Sequence, residues 1–164
     1  MARERHPLPI EAMREFLHYD PVTGLITNKV VRRGARAGDA AGQVNGCGYR
    51  RLFFRWKYYY HHRVAWALFY GEQPPDYIDH VDGNGMNNAI DNLRKAEHRQ
   101  NLGNQKKRAD NTSGYKGVAI VKKTGRYSAR VSGRHLGTFD TAEAAHAAYM
   151  AAAVKDFGEY ARAS

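Results

Sequence analysis

The sequence predicts an α+β fold in two parts joined by a basic linker. Three observations lead to this: short segments alternate between strand and helix periodicity, a polar stretch without large apolar residues interrupts them, and an alanine-rich helical segment follows that stretch. The 43% hydrophobic and 12% aromatic fractions are sufficient for packed cores. We expect one domain over residues 8–104, a linker over 105–113 and a second domain over 114–161.

Helix and strand signals alternate in the first part. IEAMREFLHY, residues 10–19, has apolar residues at helical spacing, and YDPVTGLIT predicts a turn that enters a short strand. RRLFFR and KYYYHH lie around Trp56-Lys57, which predicts two antiparallel strands and a tight turn. Residues 63–70 then predict a helix that Gly71 ends.

The remaining segments predict two small strand assemblies, each followed by a helix. Residues 77–80 and 92–95 predict short strands around a loop rich in Gly and Asn, with a helix from Glu97 to about Asn104. YKGVAIV, GRYSARVS and GRHLGTFD predict three strands, and residues 140–157 a helix capped by Asp140. We expect an alanine face of this helix to pack on the sheet: Ala144, Ala145, Ala148, Ala151 and Ala152.

Charge is distributed unevenly along the chain. The whole chain carries 26 Lys+Arg against 16 Asp+Glu, and residues 94–135 account for 12 of the basic and 2 of the acidic residues. This concentration is typical of a phosphate-binding surface. A single cysteine, Cys47, excludes an intramolecular disulfide and a Cys-based zinc finger. Without an apolar run of membrane length or a signal-peptide pattern, we expect a soluble cytoplasmic protein.

The polar stretch DHVDGNGMNNAIDNLRKAEHRQN, residues 79–101, invites three chemical interpretations. The calcium-loop template fails, because counting from Asp82 places Met86 and Asn87 where a ligand and a glycine are needed. Zinc is disfavoured because the available His and Cys residues lack ligand spacing. A hydrolytic site remains, with Asp79 offering a carboxylate oxygen to a hard cation and His80 an imidazole suited to deprotonating water.

Two asparagines complete the expected hydrolytic site. Asn101 falls about one turn into the predicted helix, where its amide oxygen could join Asp79 at a metal. Asn92 begins the second strand, where its amide could bridge the loop and hold the backbone and ring of His80.

The spacing of His80, Asn92 and Asn101 resembles the ββα-metal fold of HNH endonucleases, in the variant whose last His is Asn. The DHVDGN loop, the Asn-Leu-Arg after it and the segment from YDPVTGLIT to PPDYIDH are similar to the phage and homing subgroup. The resemblance covers about residues 10–104, with the ββα core at 77–104. It implies His80 as general base, Asp79 and Asn101 as ligands of a single Mg²⁺ or Mn²⁺, and Asn92 as the residue that orients the loop.

Basic residues near the core are expected to contact phosphate: Arg94, His98 and Arg99. For His98, a helix-surface or capping role is an equal alternative. We expect His61 and His62 to be structural, one packed under the helix and one on the surface.

The third segment resembles the AP2 DNA-binding domain, through YKGV, GRYSARV and HLGTFDTAEAAHAAY. In that fold a three-stranded sheet lies in the major groove, so the resemblance implies DNA contacts from matching sheet positions. These are Lys116, Lys122, Arg126, Tyr127, Arg130, Arg134 and His135. About half of these basic residues are expected to be solvated surface charges instead.

We therefore expect a metal-dependent DNA endonuclease of phage or homing type, targeted to double-stranded DNA by its basic domain. One site per chain indicates a monomer that nicks or a weak dimer on DNA that cuts both strands. If the protein is phage-encoded, it acts in the bacterial host cell. Two alternatives stay open: a sequence-specific DNA-binding regulator with an inactive nuclease module, and a protein that binds structured RNA.

Overall fold

The computed structural model describes residues 6–31, 35–97, 103–105, 107–108 and 110–163. The chain divides into two compact units, Met1–Ala96 and Glu97–Ser164. Both combine small antiparallel sheets with helices, which confirms the predicted α+β class. Among the residues described, no helix combines the length and the apolarity needed to cross a membrane.

The first helix is shorter than the sequence predicts. Helix α1 covers Ile10–Phe16, and the backbone becomes extended at Leu17 to form strand β1, Leu17–Tyr19. Strand β2, Ile26–Asn28, pairs antiparallel with β1. The helical pattern of residues 10–19 therefore fails at its end, because Leu17 is buried as a strand residue and its position in the sheet overrides local propensity. The predicted turn between the strands is confirmed, with Asp20 accepting from Thr23 Oγ1 at 2.7 Å.

The predicted hairpin is confirmed, although its turn lies one residue earlier than expected. Strand β3 is Gln43–Val44, β4 is Arg50–Phe54 and β5 is Lys57–Tyr60. The turn is formed by Arg55 and Trp56, both with positive φ, while Lys57 already pairs with Phe54. Helix α2, His61–Tyr70, then starts two residues earlier than expected, and Gly71 ends it with a φ of 75° as predicted.

Helix α2 joins the two small cores of the first unit. Its Val64 and Ala67 belong to the main core, which also contains buried residues of α1, β1, β2 and β4: Met13, Leu17, Ile26, Leu52 and Phe54. Ala65 and Trp66, on another side of the helix, pack with Ile78 and Leu93. This second contact fixes the next pair of strands on α2.

That pair is the strand–loop–strand assembly expected from the sequence. Strand β6, Ile78–His80, pairs antiparallel with β7, Leu93–Lys95, and His80 lies opposite Leu93. Between them come the loop of residues 81–89 and a short 3₁₀ turn, Ile90–Asn92. The helix predicted from Glu97 to about Asn104 falls largely on residues 98–102, which lie outside the described part of the chain.

The second unit contains the predicted three-stranded sheet and long helix. Strands β8, Val118–Ile120, β9, Tyr127–Val131, and β10, Arg134–Phe139, form an antiparallel sheet with β9 in the centre. Helix α3, Ala142–Phe157, packs on one side of this sheet. The expected alanine face is wrong except for Ala145, because large rings take part in the contact. The buried positions of α3 are Ala142, Ala145, Tyr149, Ala153 and Phe157.

The predicted cap of this helix is also wrong. Thr141 is the N-cap residue, and its Oγ1 accepts from the Ala144 backbone N–H at 3.2 Å. Asp140 instead forms an ion pair with Arg126, Nε to Oδ1 2.8 Å. Thr141 is the last extended residue, with φ −124° and ψ 154°, which is the backbone geometry that places a side-chain oxygen over the first free N–H groups.

Candidate active site

Asp79 and His80 are buried side by side in β6. Their exposed fractions are 4% and 5%, which is unusual for such polar side chains. Asp79 lies opposite Arg94 of β7, and Arg94 Nε donates to Asp79 Oδ2 at 3.0 Å. Arg94 is itself largely buried, so its charge compensates the carboxylate where water is scarce. The Arg94 guanidinium is thus engaged with Asp79.

Asn88 orients the His80 ring. Its Oδ1 lies 3.4 Å from His80 Nε2, and its Nδ2 donates to the Met86 carbonyl at 3.1 Å. The Asn88 carbonyl in turn accepts from the Tyr19 hydroxyl at 2.8 Å. Because Asn88 is only 1% exposed, these contacts hold its amide in one position. Because Tyr19 belongs to β1, the β1–β2 sheet helps to place the ring of His80 through Asn88.

The charge state of His80 is set mainly by burial. Burial lowers the pKa of His80 below its ordinary value, while the hydrogen bond to Asn88 and the charges of Asp82 and Asp79 act in the opposite direction. The ring is therefore neutral near pH 7. A neutral imidazole is the form that can take a proton from water.

Asn92 closes the loop that follows β6. Its Oδ1 accepts from the Asp82 backbone N–H at 3.0 Å, and its Nδ2 donates to Asp82 Oδ1 at 3.0 Å and to the Asn87 carbonyl at 2.8 Å. The Asn92 carbonyl also accepts from the Val81 N–H, next to His80. Burial alone would raise the pKa of Asp82, but hydrogen bonds from Asn84, Asn87 and Asn92 outweigh it and lower that pKa.

Two rings lie against His80, and a third packs on them. The His62 ring meets it edge to face with centroids 5.3 Å apart, and Tyr49 lies at 5.9 Å. Tyr60 stacks on His62 at 5.5 Å. The expectation that one histidine of the pair lies on the surface is wrong, because helix α2 begins at His61 and turns its first two residues to different sides. His61 is 1% exposed, and His62 is half-buried.

The loop after β6 packs closely on this aromatic group. A Cβ atom added to Gly85 would lie 2.6 Å from Tyr49 Cε1 and 3.1 Å from the Gly48 carbonyl oxygen. Only a residue without a side chain fits in this position. The loop, Tyr49 and the His80 ring therefore form one contiguous packing unit.

Three predicted residues, His98, Arg99 and Asn101, lie outside the described part of the chain. Among the residues described, no cluster of three His, Cys, Asp or Glu side chains could hold a metal ion. The chemistry of the donor set still suits a hard cation, because Mg²⁺ is commonly bound by one or two carboxylates plus water and substrate phosphate. A carboxylate has two oxygens with several lone pairs, so the contact of Asp79 with Arg94 is compatible with a role as a cation ligand.

Several side chains of the second unit that the sequence predicts to contact DNA form contacts within that unit instead. Arg126 pairs with Asp140, and Arg134 Nη2 donates to Asp156 Oδ2 at 2.8 Å. Lys116 Nζ donates to the Gly103 carbonyl, and burial, followed by the charge of Arg162, lowers the pKa of Lys116 to about 8. Tyr127 packs on the core between sheet and helix.

Two other residues that the sequence predicts to contact DNA lie on the side of the sheet that faces away from α3. Arg130 and His135 are exposed and form a register pair between β9 and β10. The Ser128 hydroxyl lies 3.3 Å from His135 Nδ1. Lys122 is exposed in the turn between β8 and β9. Arg130 and His135 thus belong to the surface that faces away from α3.

The residues around His80 that the sequence analysis missed are Asn88, Tyr49 and His62. Asn88 is one of several asparagines in its loop, and no local pattern distinguishes the buried one. Tyr49 is brought to His80 by the fold of the unit, across a long separation in the chain. For His62, the clustered YYYHH was an available signal, since aromatic and imidazole side chains at a strand–helix junction often pack together.

Comparison with known proteins identifies the family of this region. Residues 59–102 match the family model described as HNH endonuclease. The chain is also 45% identical over 62 residues to protein 3.8 of Escherichia phage T7, in a stretch that covers 37% of this chain and 51% of the phage protein. The chain thus spans about half the length of that relative. No solved structure matches this chain. Residues 59–102, which contain α2, β6 and β7, are an HNH endonuclease domain.

Proposed function

We propose that this protein is a metal-dependent endonuclease that hydrolyses phosphodiester bonds in double-stranded DNA. The observation that carries the proposal is the buried, oriented His80 beside Asp79 within the HNH endonuclease domain. Burying a neutral imidazole and a carboxylate costs stability unless other groups compensate. Such a pair at a strand end is typical of a site maintained for chemistry.

His80 acts as the general base in this proposal. Its neutral ring accepts a proton from a water molecule, and the resulting hydroxide oxygen attacks the phosphorus. The bond from phosphorus to the 3′ oxygen breaks, and this oxygen takes a proton from solvent water. Asn88 keeps the His80 ring in one orientation during proton transfer, which matters because a small misplacement of a reacting group costs a large part of the rate.

Asp79 and Asn101 are the residues that would hold the cation, Mg²⁺ or Mn²⁺. The chemistry that such an ion supplies is stabilisation of negative charge on the phosphate and the leaving oxygen. Arg94 contacts Asp79 directly, and the charge of Arg94 adds to the positive potential beside the phosphate. Asn92 holds the loop that separates β6 from β7.

The second unit would supply much of the DNA affinity. Arg130 and His135 are exposed on the side of the sheet away from α3, and Lys122 lies in an adjoining turn. We propose that this surface contacts DNA as an AP2-like sheet would. The basic excess of residues 94–135 supports binding to a polyanion. A phage origin would fit the similarity to the phage protein.

Nicking of supercoiled plasmid tests the nuclease proposal. We expect the wild type to nick plasmid with Mg²⁺ or Mn²⁺ and to stop when EDTA removes the ion. The His80→Ala variant should lose about 10²- to 10⁴-fold in rate, the usual contribution of a general base. His18→Ala is the matched control, because it removes an exposed imidazole from the same unit.

Binding measured on the same proteins separates the two functional classes. If wild type and His80→Ala bind plasmid equally and neither nicks it with any divalent ion, the nuclease proposal is wrong. A DNA-binding regulator with an inactive nuclease module would then be the better description.

A further inference from the structure

The hairpin of β4 and β5 has an exposed face of aromatic rings. Leu52 and Phe54 turn inward to the core, whereas Phe53 and Tyr58 form a register pair on the outer side with their rings 5.0 Å apart. Phe53 is 51% and Tyr58 54% exposed, and Trp56 at the tip is 90% exposed. A connected group of large exposed rings marks a binding surface more often than a solvated one.

This face leads directly to His80. Tyr60, the next outward residue of β5, stacks on His62, and the His62 ring meets that of His80. The rings of this face thus form two groups: Phe53, Trp56 and Tyr58 near the hairpin tip, and Tyr60 with His62 beside the proposed general base. From Tyr60 to Trp56 the strand covers about 13 Å, at roughly 3.3 Å per residue. At about 3.4 Å of helix axis per base pair, the hairpin could follow about four base pairs of a duplex.

The charge of the hairpin favours one kind of partner. The outer face includes Arg51, whose guanidinium lies 4.3 Å from the Tyr58 ring centroid, and Arg55 begins the turn. Residues 40–71 contain five basic residues and no acidic one. Two copies of this face would repel each other, whereas a polyanion with planar bases complements both the cations and the rings.

The backbone at the tip supports a functional reason for Trp56. Arg55 has a φ of 46° and Trp56 a φ of 66°, in a two-residue turn for which Asn and Gly are the favoured residues. A bulky side chain in this conformation is strained. Strained residues of this kind are concentrated at functional sites, where binding compensates for the cost.

We propose that the outer face of the β4–β5 hairpin binds the DNA that flanks the cleaved phosphate. Trp56 contacts bases of the flanking DNA, and Arg51 contacts a phosphate. This inference rests on the proposed function, since it assigns the hairpin to the same DNA. It adds a second DNA contact on the catalytic unit, separate from the sheet of the second unit.

The two tryptophans provide a direct test. Trp56 is exposed and Trp66 is 8% exposed, so acrylamide quenches chiefly the emission of Trp56. In full-length His80→Ala protein, which keeps DNA intact, a duplex oligonucleotide of mixed sequence should reduce this quenching. In the same protein carrying Trp56→Phe, where Trp66 is the remaining tryptophan, the duplex should leave the quenching unchanged.

A glycine variant separates binding from folding. Trp56→Gly relieves the strained turn, so its Tm should be equal to or above that of the parent protein, while its affinity for the duplex should fall at least about fivefold. Val22→Ala is the matched control, because Val22 is an apolar side chain of the same unit that is 82% exposed. Its affinity should not change.

Two results with the duplex would overturn the proposal: Trp56→Gly binding the duplex as tightly as Val22→Ala does, or the duplex leaving the quenching of Trp56 unchanged. If raising the protein concentration without DNA reduced the acrylamide quenching of Trp56, the aromatic face would bind a second copy of the protein. That result would also reject the proposal. Plasmid nicking is scored separately. Protection of Trp56 by DNA in a protein whose wild type never nicks would leave the hairpin proposal standing and reject the nuclease.

Discussion

At the scale of the residue, Gly85 controls how closely the loop after β6 approaches Tyr49. A methyl group on Gly85 would lie 2.6 Å from Tyr49 Cε1, so either the ring or the loop must move. Tyr49 contacts His80 and His62, so the shift passes to the proposed general base. We expect Gly85→Ala to lower the rate of plasmid nicking by roughly 10- to 100-fold, the loss typical of a misplaced catalytic group.

Gly46→Ala is the control for this prediction. Its added methyl group would meet nothing within 4 Å, so nicking should stay at the wild-type rate. Thermal unfolding of both variants shows whether lost activity reflects lost folding. Wild-type activity in folded Gly85→Ala would mean that the placement of Tyr49 does not matter for His80.

Residue patterns locate part of the candidate site in advance. Asp79 and His80 stand out because two ionisable residues end an apolar strand, and both prove to be buried there. Asn88 does not stand out, because burial within the folded unit distinguishes it from the other asparagines of its loop. The aromatic neighbours of His80 also depend on the fold, since Tyr49 and His62 come from outside the loop.

At the scale of the element, helix α2 brings the main core into contact with β6 and β7. His61, the first residue of α2, is buried, and its ring lies close to Gly42. Among the residues described, its Nε2 has no hydrogen-bond partner. Protonation of His61 would place a charge in an environment that does not solvate it.

The free energy of unfolding should therefore fall in mild acid. Burial lowers the pKa of His61 from its ordinary value of 6.5 to about 4, and the charge of Arg50 adds to this effect. Between these two values the unfolded chain binds a proton that the folded chain does not, so stability is complete above about pH 6.5 and falls as the pH drops toward 4. The loss should be on the order of 3 kcal/mol.

Urea unfolding of the wild type and of His61→Met, at pH 7 and at pH 5, measures this contribution. Methionine fills a similar volume and does not titrate, so the variant should lose less stability between the two conditions. The difference between the proteins isolates His61 from His80, whose pKa burial also lowers. Equal pH dependence in both proteins would show that His61 is not the group responsible.

Element types follow from the sequence more readily than element ends. The runs RRLFFR and KYYYHH around a short turn predicted β4 and β5, helical spacing predicted α2, and an alanine-rich run predicted α3. The end of α1 and the cap of α3 were wrong. Both depend on contacts with other elements: the pairing of Leu17 with β2 and the ion pair of Asp140 with Arg126.

At the scale of the whole molecule, the count of 26 Lys and Arg residues overstates the number of cationic side chains available to DNA. In the second unit Arg126 and Arg134 face carboxylates, and Arg108 forms an ion pair with Asp110. Arg130 lies on the exposed side of the sheet instead. Charge counting along the sequence could predict a DNA-binding protein, but it could not rank these residues, since pairing depends on the folded unit.

Arg130→Ala should therefore reduce the salt dependence of DNA binding without changing catalysis. Losing one phosphate contact lowers the slope of log affinity against log salt concentration by about 0.9. The rate of nicking at saturating DNA should stay unchanged, because Arg130 lies in the sheet of the second unit, whereas Asp79 and the proposed general base His80 lie in the first unit. Lys155→Ala is the matched control: it removes one exposed charge from α3, on the opposite side of the sheet from Arg130. If both variants changed the slope equally, the second unit would contribute only its net charge, and binding through the sheet would be wrong.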